Sequence, residues 1–132
     1  MDLDPTRLTE LHKGTLADTL GVRFVETAPE RVVAELSFRD GLTTVGGSLH
    51  GGTLMAFADT VGAAATFLNL PAGAGTTTLE SKTNFFAACR GGTVRAETTP
   101  LHRGKRTMVW QTRVTDESGR LLTLTIQTQM VI

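Results

Sequence analysis

One acidic residue stands alone in an apolar part of the sequence. Between Asp40 and Glu80 there is a single formally charged residue, Asp59, and it lies within the run GGTLMAFADTVGAAATFLNL at 51–70. A carboxylate buried without a partner is costly, so selection for stability alone would favour Ala or Leu at this position. Ionisable groups in such settings are concentrated at functional sites, although an exposed or capping carboxylate is the alternative. Asp59 is therefore the first candidate for a catalytic base or nucleophile.

A second candidate feature stands where the apolar run begins, at His50-Gly51-Gly52. The first backbone N–H groups of a helix have no internal partner and lie at its positive end, so they suit an oxyanion. Glycine at these positions lets a ligand approach the backbone closely. The alternative is that the two glycines only make a sharp entry into the helix. Combined with Asp59, they predict an oxyanion donor and a base on one helix.

The spacing of these two groups predicts how they are used. Gly51 and Asp59 are eight residues apart, which corresponds to roughly 12 Å along an α-helix. A base and an oxyanion donor must both lie within about 3 Å of the reacting atoms. One chain cannot bring both groups to one carbonyl, so Gly51 of one subunit must meet Asp59 of another. The spacing predicts a homodimer with antiparallel helices.

The first half of the chain predicts the elements that lead to this helix. A short helix begins with Asp4 as N-cap and Pro5 in its first position, and it ends at Gly14. Two strands follow around a turn at 27–31, and a glycine-rich loop occupies 40–49. In the second strand, Val32, Ala34, Leu36 and Phe38 alternate with Val33, Glu35, Ser37 and Arg39, a pattern typical of a half-buried strand.

The central helix and the last third of the chain complete the expected fold. The helix runs from His50 to about Leu70 and is ended by residues 71–73. It is apolar or small on nearly every side, so we expect it to be covered all round. Segments 76–88, 93–101, 105–115 and 120–132 are rich in β-branched and aromatic residues and predict four strands. In the last strand, one face carries Leu122, Leu124, Ile126, Thr128, Met130 and Ile132, and the other carries Thr123, Thr125, Gln127 and Gln129.

This order of elements predicts an α+β fold in which an antiparallel sheet of about six strands wraps around one long central helix. The chain has 132 residues, a formal net charge of zero and no linker-like segment, so we expect one domain over 1–132. The charge balance argues against a nucleic-acid partner, and Asp59 argues against a membrane-spanning helix. One cysteine and no visible secretory signal favour a cytoplasmic protein. The three histidines have no ligand spacing, so no metal site is expected.

The pattern LHGGTLMAFADTVGAAAT, with the elements around it, resembles the hotdog-fold acyl-CoA thioesterases, in particular the phenylacetate-degradation (PaaI-type) subgroup. The resemblance covers nearly the whole chain. It implies that the Gly51 N–H polarises the thioester carbonyl and that Asp59 of the other subunit acts as general base or nucleophile. His50 matches a histidine that shapes the oxyanion site. A hydroxyl on the strand after the helix would position the water, and Thr78 is favoured over Thr77 for this role.

One position departs from the pattern of the family. Relatives often carry Asn six residues before the histidine, and this chain has Thr44 there. A threonine hydroxyl donates or accepts a hydrogen bond but cannot reproduce an amide. The resemblance also implies contacts to the phosphates of coenzyme A near Gly52 and from basic residues at the predicted strand connections, namely Arg90, Arg103, Lys105 and Arg106. A solvated hairpin end is the alternative for these side chains.

The resemblance implies an enzyme that hydrolyses a small or aromatic acyl-CoA, such as phenylacetyl-CoA, to the free acid and CoA. No cofactor is expected beyond the CoA of the substrate, and two dimers are expected to form a tetramer. Two alternatives remain open at this point. One is a non-catalytic acyl-CoA binding module in which Asp59 is silent. The other is a hotdog-fold hydratase or dehydratase, which would rely on a catalytic histidine.

Overall fold

The computed structural model describes residues 3–132, which form three α-helices, one short 3-10 helix and six strands. In chain order these are α1 (Pro5–Leu11), α2 (Leu16–Leu20), β1 (Arg23–Ala28), β2 (Arg31–Ser37), the 3-10 turn Asp40–Leu42, α3 (Gly51–Phe67), β3 (Thr76–Phe85), β4 (Thr93–Arg103), β5 (Thr107–Thr115) and β6 (Leu121–Val131). The predicted order of elements is confirmed with two additions, α2 and the 3-10 turn Asp40–Leu42. In the part of the chain that is described, no helix is long and apolar enough to cross a membrane.

All strand pairs in the sheet are antiparallel, and the strand order is β1-β2-β4-β5-β6-β3. The long helix α3 packs on one face of this sheet and contacts β2, β3, β4, β5 and β6. Fully buried side chains of the helix, such as Phe57 and Val61, meet Leu36, Trp110 and Val114 in one core. The α+β hotdog architecture expected from the sequence is thereby confirmed.

The N-terminal helix follows its sequence signals closely. The Asp4 carboxylate accepts the Arg7 backbone N–H at 2.8 Å, and Pro5 occupies the first turn, where a missing N–H costs nothing. The helix ends at Leu11, and Gly14 follows with a φ of +82°. The chain then forms α2, which ends at Gly21 in the left-handed conformation.

The central helix is shorter than predicted because Asn69 ends it. The helix stops at Phe67, and the Asn69 Nδ2 group donates to the backbone oxygens of Ala65 and Pro29 at 2.9 and 2.8 Å. The Asn69 amide therefore satisfies a carbonyl of the last turn and ties it to the turn between β1 and β2. At the other end, the Thr53 hydroxyl donates to the Leu42 carbonyl at 3.0 Å and fixes the first turn of α3 to the 3-10 turn.

The expectation that one face of β2 is exposed to solvent is only partly met, because Val33 on that face is fully buried. On that face Val33 pairs with Glu26 of β1 and Glu97 of β4. Arg31 forms ion pairs with both glutamates. The aliphatic parts of these three long side chains cover Val33. The alternation of residues within β2 cannot predict this, because both glutamates belong to neighbouring strands.

The two faces of β6 are buried in the opposite sense to their polarity. Thr123, Thr125, Gln127 and Gln129 face the core and are at most 1% exposed, whereas Leu124 and Ile126 are half-buried and Met130 is exposed on the outer face. Opposite this strand the helix carries Asp59, whose Oδ1 atom lies 3.1 Å from Nε2 of Gln127, so the inner face of β6 contacts a charged group of the helix. The predicted alternation holds from Thr123 to Met130, whereas Leu122 is also fully buried because the register shifts there, and polarity does not identify the buried side.

The expectation that α3 is covered all round is wrong for a single chain. The sheet and α2 cover most of the helix, but a stripe of residues along it is half-buried or exposed, namely Gly52, Met55, Ala56, Asp59, Thr60, Ala63 and Phe67. These positions recur every three or four residues, the spacing of one helix face. Most of them are small, and Asp59 lies at the middle of the stripe.

Candidate active site

The start of α3 presents one free backbone donor. His50 is the N-cap, and its Nδ1 atom accepts the Gly52 N–H at 2.7 Å. The Gly51 N–H, in contrast, has no acceptor among residues 3–132. Gly52 was predicted to contact a ligand, but its N–H is already bonded to His50. The N–H of Gly51 is therefore the free donor at the positive end of the helix.

Asp59 lies two turns further along the helix and is held by groups from the sheet. Its Oδ1 atom lies 3.0 Å from the Thr78 hydroxyl of β3 and 3.1 Å from Nε2 of Gln127 of β6. The Gln127 amide donates to the carboxylate, whereas the single hydroxyl hydrogen of Thr78 is shared between Asp59 Oδ1 and Gln129 Oε1, which lies 2.6 Å away. Its Oδ2 atom has no hydrogen-bond partner in the described chain. Asp59 is half-buried, so one carboxylate oxygen is fixed and the other is available.

The structure distinguishes Thr78 from Thr77. Thr78 pairs with Gln129 on the inner face of the sheet, and its hydroxyl lies within hydrogen-bond distance of Asp59. Thr77 pairs with the exposed Met130, so its side chain is directed to the outer face. Thr77 is therefore not part of the arrangement around Asp59, and the preference for Thr78 agrees with the geometry.

Two residues of this arrangement, Gln127 and Gln129, were not identified as site residues from the sequence. Gln127 Nε2 also donates to Gln129 Oε1 at 2.9 Å, and Gln129 Oε1 lies 2.6 Å from the Thr78 hydroxyl. The available signal was a pair of glutamines on the same face as two threonines of the last strand. It becomes informative only once that face is known to pack on Asp59.

Thr44 lies apart from Asp59, in the loop before α3. Its backbone accepts the Gly47 N–H and donates to the Ser48 carbonyl, which makes a tight turn, and its side chain is exposed. Arg90 braces the same loop, because its Nη1 atom donates to the Gly46 carbonyl at 2.7 Å. Both residues therefore lie near the end of α3 that carries Gly51.

The four basic residues do not form one group within a chain. Arg90 is in the connection from β3 to β4, and Lys105 and Arg106 are in the turn from β4 to β5, so the two connections lie at opposite ends of β4. Arg103 lies beside the C-terminal end of α3, with Nη1 at 3.3 Å from the Asn69 Oδ1 atom. Within a single chain, a common phosphate contact is therefore possible only among Arg103, Lys105 and Arg106, and Arg90 lies apart from them.

A cavity of about 350 Å³ lies one helical turn beyond Asp59 and is lined by Leu8, Leu11, His12, Ala63, Ala64 and Phe67. Five of these six residues are apolar. The His12 Nδ1 group donates to the Leu8 carbonyl at 2.8 Å, which leaves Nε2 of the neutral ring as an acceptor. Ala63 shares the open face of α3 with Asp59. Residues 3–132 bring together no group of three His, Cys, Asp or Glu side chains that would hold a metal ion.

Comparison with known proteins shows the family to which the chain belongs. Residues 46–123 match the family model of the thioesterase superfamily. The chain is 31% identical to the 1,4-dihydroxy-2-naphthoyl-CoA hydrolase of Escherichia coli over 86% of its own length and 84% of that protein. Thioesterase HI1161 of Haemophilus influenzae has a similar structure, with a TM-score of 0.96 and 26% identity over 100% of this chain and 92% of that one.

The PaaI protein from the phenylacetic acid degradation operon of E. coli has the same fold. Its TM-score is 0.86 at 21% identity, with 95% of this chain and 89% of that chain covered. The family match spans the start of α3, Asp59 and most of the sheet. The chain belongs to the thioesterase superfamily, and it is a hotdog-fold thioester hydrolase.

Proposed function

We propose that the protein hydrolyses a small or aromatic acyl-CoA to the free acid and CoA. The observation that carries the proposal is the pairing on α3 of a free Gly51 N–H with a carboxylate, Asp59, of which only Oδ1 is bound. The first group suits the oxyanion of a tetrahedral intermediate, and the second suits proton removal or direct attack.

In the reaction by general base catalysis, a water oxygen attacks the thioester carbonyl carbon while Asp59 takes one of its protons. The carbonyl π electrons move to oxygen, and the Gly51 N–H donates to the resulting oxyanion. Collapse of the intermediate breaks the C–S bond, and the proton held by Asp59 passes to the CoA sulfur. In the nucleophilic variant, a carboxylate oxygen of Asp59 attacks the carbonyl carbon, and collapse of the tetrahedral intermediate breaks the C–S bond and expels the CoA thiolate. Water then hydrolyses the resulting mixed anhydride, which releases the free acid and restores the Asp59 carboxylate, and the proton from that water passes to the CoA sulfur. Both routes use the same two groups.

We place each active site between two subunits. Gly51 and Asp59 of one chain are separated by eight residues of α3, or roughly 12 Å, so each must act with the other group of a partner. The open stripe of α3 supports an antiparallel partner helix, because its small residues allow close approach. The free edge of β3 supports it as well, since Leu79, Phe85 and Phe86 are 51–58% exposed there.

The antiparallel pairing of the two helices would also bring the basic residues of the two subunits together. In an antiparallel pair, the C-terminal end of one α3 lies beside the N-terminal end of its partner. Arg103, Lys105 and Arg106 would then come near the partner's Gly51, together with Arg90 of that partner. We propose that they contact the phosphates of CoA. Half-buried Leu124 and Ile126 on the outer face of the sheet support pairing of two dimers, and the single buried cysteine suits the cytoplasm.

We propose the cavity beside α1 as the site for the acyl group. Its volume of about 350 Å³ lies near the lower end of ligand pockets, which favours a small or aromatic acyl group over a long chain. The E. coli relative is named for an aromatic acyl-CoA, which agrees with an apolar pocket that carries one histidine acceptor.

The first experiment is thiol release from a panel of acyl-CoAs that includes phenylacetyl-CoA, hydroxybenzoyl-CoA, acetyl-CoA and palmitoyl-CoA. The expected result is turnover that is highest for an aromatic member and lowest for palmitoyl-CoA. Binding without release from any member would contradict hydrolysis and indicate a binding module. Formation or loss of a double bond in an enoyl-CoA, detected by absorbance, would indicate a hydratase.

Substitution of Thr78 tests the hydroxyl beside Asp59. Thr78→Val keeps the shape of the side chain but removes the hydroxyl, so kcat is expected to fall roughly tenfold through loss of one hydrogen bond to the carboxylate. Thr77→Val is the matched control, because Thr77 faces outward from the adjacent position, and its kcat should equal that of the wild type. Equal rates for both variants would remove Thr78 from the mechanism.

Substitution of Ala63 tests the acyl pocket. Ala63→Leu adds three carbons to the cavity wall, so kcat/KM for an aromatic acyl-CoA is expected to fall about tenfold or more. Turnover of acetyl-CoA should be retained, since its acyl group does not reach the added atoms. Because Ala63 also lies in the stripe proposed to face the partner helix, the dimer is checked by gel filtration. A uniform loss in an intact dimer, or no change for the aromatic substrate, would place the acyl group elsewhere.

A further inference from the structure

Two buried glutamines lie under Asp59 and were not expected to have a role. Gln127 and Gln129 are each 1% exposed and face α3 from β6. An amide removed from water opposes folding unless its polar atoms find partners. Aliphatic residues at these inner positions of the strand would give a simpler core, so the two amides indicate a purpose other than packing.

The hydrogen-bond partners fix how the two amides are oriented. The Gln127 Nε2 atom lies 3.1 Å from Asp59 Oδ1 and 2.9 Å from Gln129 Oε1, and both oxygens accept. Gln129 Nε2 in turn donates to the Thr76 hydroxyl at 3.1 Å. Both N–H groups of Gln127 are therefore used, and reversal of its amide would turn an acceptor toward the carboxylate.

The helix makes room for this contact through Gly62. A Cβ atom at residue 62 would lie 2.1 Å from the Gln127 Oε1 atom, which no structure tolerates without a shift. The Gln127 Oε1 atom itself is buried and has no partner among residues 3–132. An unsatisfied buried acceptor opposes folding. The position of the Gln127 amide against α3 therefore lowers the stability of the fold, because its Oε1 atom is unpaired in the described chain. The contact that can explain this position is the hydrogen bond from Nε2 to Asp59.

From these contacts we infer that Gln127 is a positioning residue for Asp59. Gln127 of β6 donates an N–H to Oδ1, and the hydroxyl of Thr78 of β3 lies 3.0 Å from the same oxygen and shares its hydrogen with Gln129, so rotation of the carboxylate about its last bond is restricted. Oδ2 is then directed to the open stripe of α3, where the proposed site receives its substrate. Gln129 supports this by holding the second N–H of Gln127. The inference rests on the proposed thioesterase function, because it assigns Gln127 a role in that reaction.

The test is the variant Gln127→Met, which keeps the length of the side chain and removes the donor. Loss of carboxylate orientation is expected to lower kcat about 10- to 100-fold with little change in KM, because the acyl-CoA contacts lie elsewhere. Gln127→Glu keeps the shape but replaces the donor with an acceptor, so its loss should be at least as large. The matched control is Gln111→Met, since Gln111 of β5 pairs with Ile126 on the outer face and should leave kcat unchanged.

Folding of each variant can be followed at one site. Trp110 is the single tryptophan, the chain has no tyrosine, and Trp110 pairs with Gln127 across β5 and β6. Its emission maximum and the Tm therefore report directly on packing beside the substitution. A positioning role predicts that Gln127→Met keeps a folded core with a buried tryptophan while kcat falls.

A double-mutant cycle separates positioning from a general effect on structure. In the Asp59→Asn background, Gln127→Met should cause no further loss of kcat, because the group that it positions has already been disabled. Wild-type kcat in Gln127→Met, a loss confined to KM, or a loss that adds to that of Asp59→Asn would each overturn the inference while the thioesterase function stands. Absence of thiol release from the wild-type protein would instead overturn the proposed function, and the inference with it.

Discussion

Asp59→Asn is expected to lower kcat for thiol release about a thousandfold, within the range for loss of a general base. The amide has the same shape as the carboxylate, and its oxygen still accepts from Thr78 and Gln127 at the position of Oδ1. It takes no proton from water and is a poor nucleophile, so both versions of the mechanism fail together. KM should change little, since the acyl and CoA contacts are preserved.

The control for this prediction is Asp40→Asn. Asp40 is an exposed carboxylate at the start of the 3-10 turn, and its removal changes the net charge by the same amount. Its kcat is expected to equal that of the wild type. If Asp59→Asn keeps more than a tenth of the wild-type kcat, Asp59 is neither base nor nucleophile, and the proposed mechanism is wrong.

Gly51→Pro is expected to lower kcat about 100- to 1000-fold, the usual effect of removing one oxyanion donor. Proline removes the N–H yet fits the first position of a helix. The preceding residue, His50, has φ −60° and ψ 138°, an extended conformation that proline tolerates in its neighbour. The substitution therefore removes the donor while the helix can remain intact.

Gly51→Ala is the matched control for the added side-chain atoms. It keeps the N–H and adds a Cβ atom about 3.2 Å from Cε1 of Phe85, so the ring must shift by only a few tenths of an ångström. Its kcat should stay within about tenfold of the wild type, because the loss expected on donor removal is far larger. Equal losses of kcat in Gly51→Ala and Gly51→Pro would show that the activity depends on the absence of a side chain at residue 51 and not on its N–H group.

The two inactive variants also test the shared site. In a mixed dimer of Gly51→Pro and Asp59→Asn subunits, one of the two sites contains an intact Gly51 and an intact Asp59. Random re-pairing after mixing should therefore restore about a quarter of the wild-type activity, as the symmetry of a two-fold dimer requires. No recovery in dimers that have exchanged subunits would show that each chain forms its site alone.

Much of the fold was readable because its signals are local. Asp4 and Pro5 start α1, the pattern of apolar residues defines α3, and tight turns separate the strands. These signals depend on backbone geometry within a few residues, so one sequence is enough to interpret them. The motif from His50 to Asp59 was readable for the same reason, since helical spacing converts residue numbers into distance.

Contacts between distant segments were not readable in this way. Val33 is buried because Arg31 joins glutamates from two neighbouring strands above it. The polar face of β6 is the inner one because it meets Asp59, Thr78 and the space left by Gly62. Alternation separates the two faces of a strand, but the neighbours that decide which face is buried come from elsewhere in the chain.

The sequence by itself determined the central helix, the two glycines at its start and the isolated carboxylate eight residues after Gly51. It did so because helix geometry and the cost of a buried charge are properties of short segments. Only the tertiary structure decided that Thr78 rather than Thr77 faces Asp59 and that Gln127 holds the same oxygen. Those choices depend on strand register, which is set when β3 and β6 pair and pack against α3.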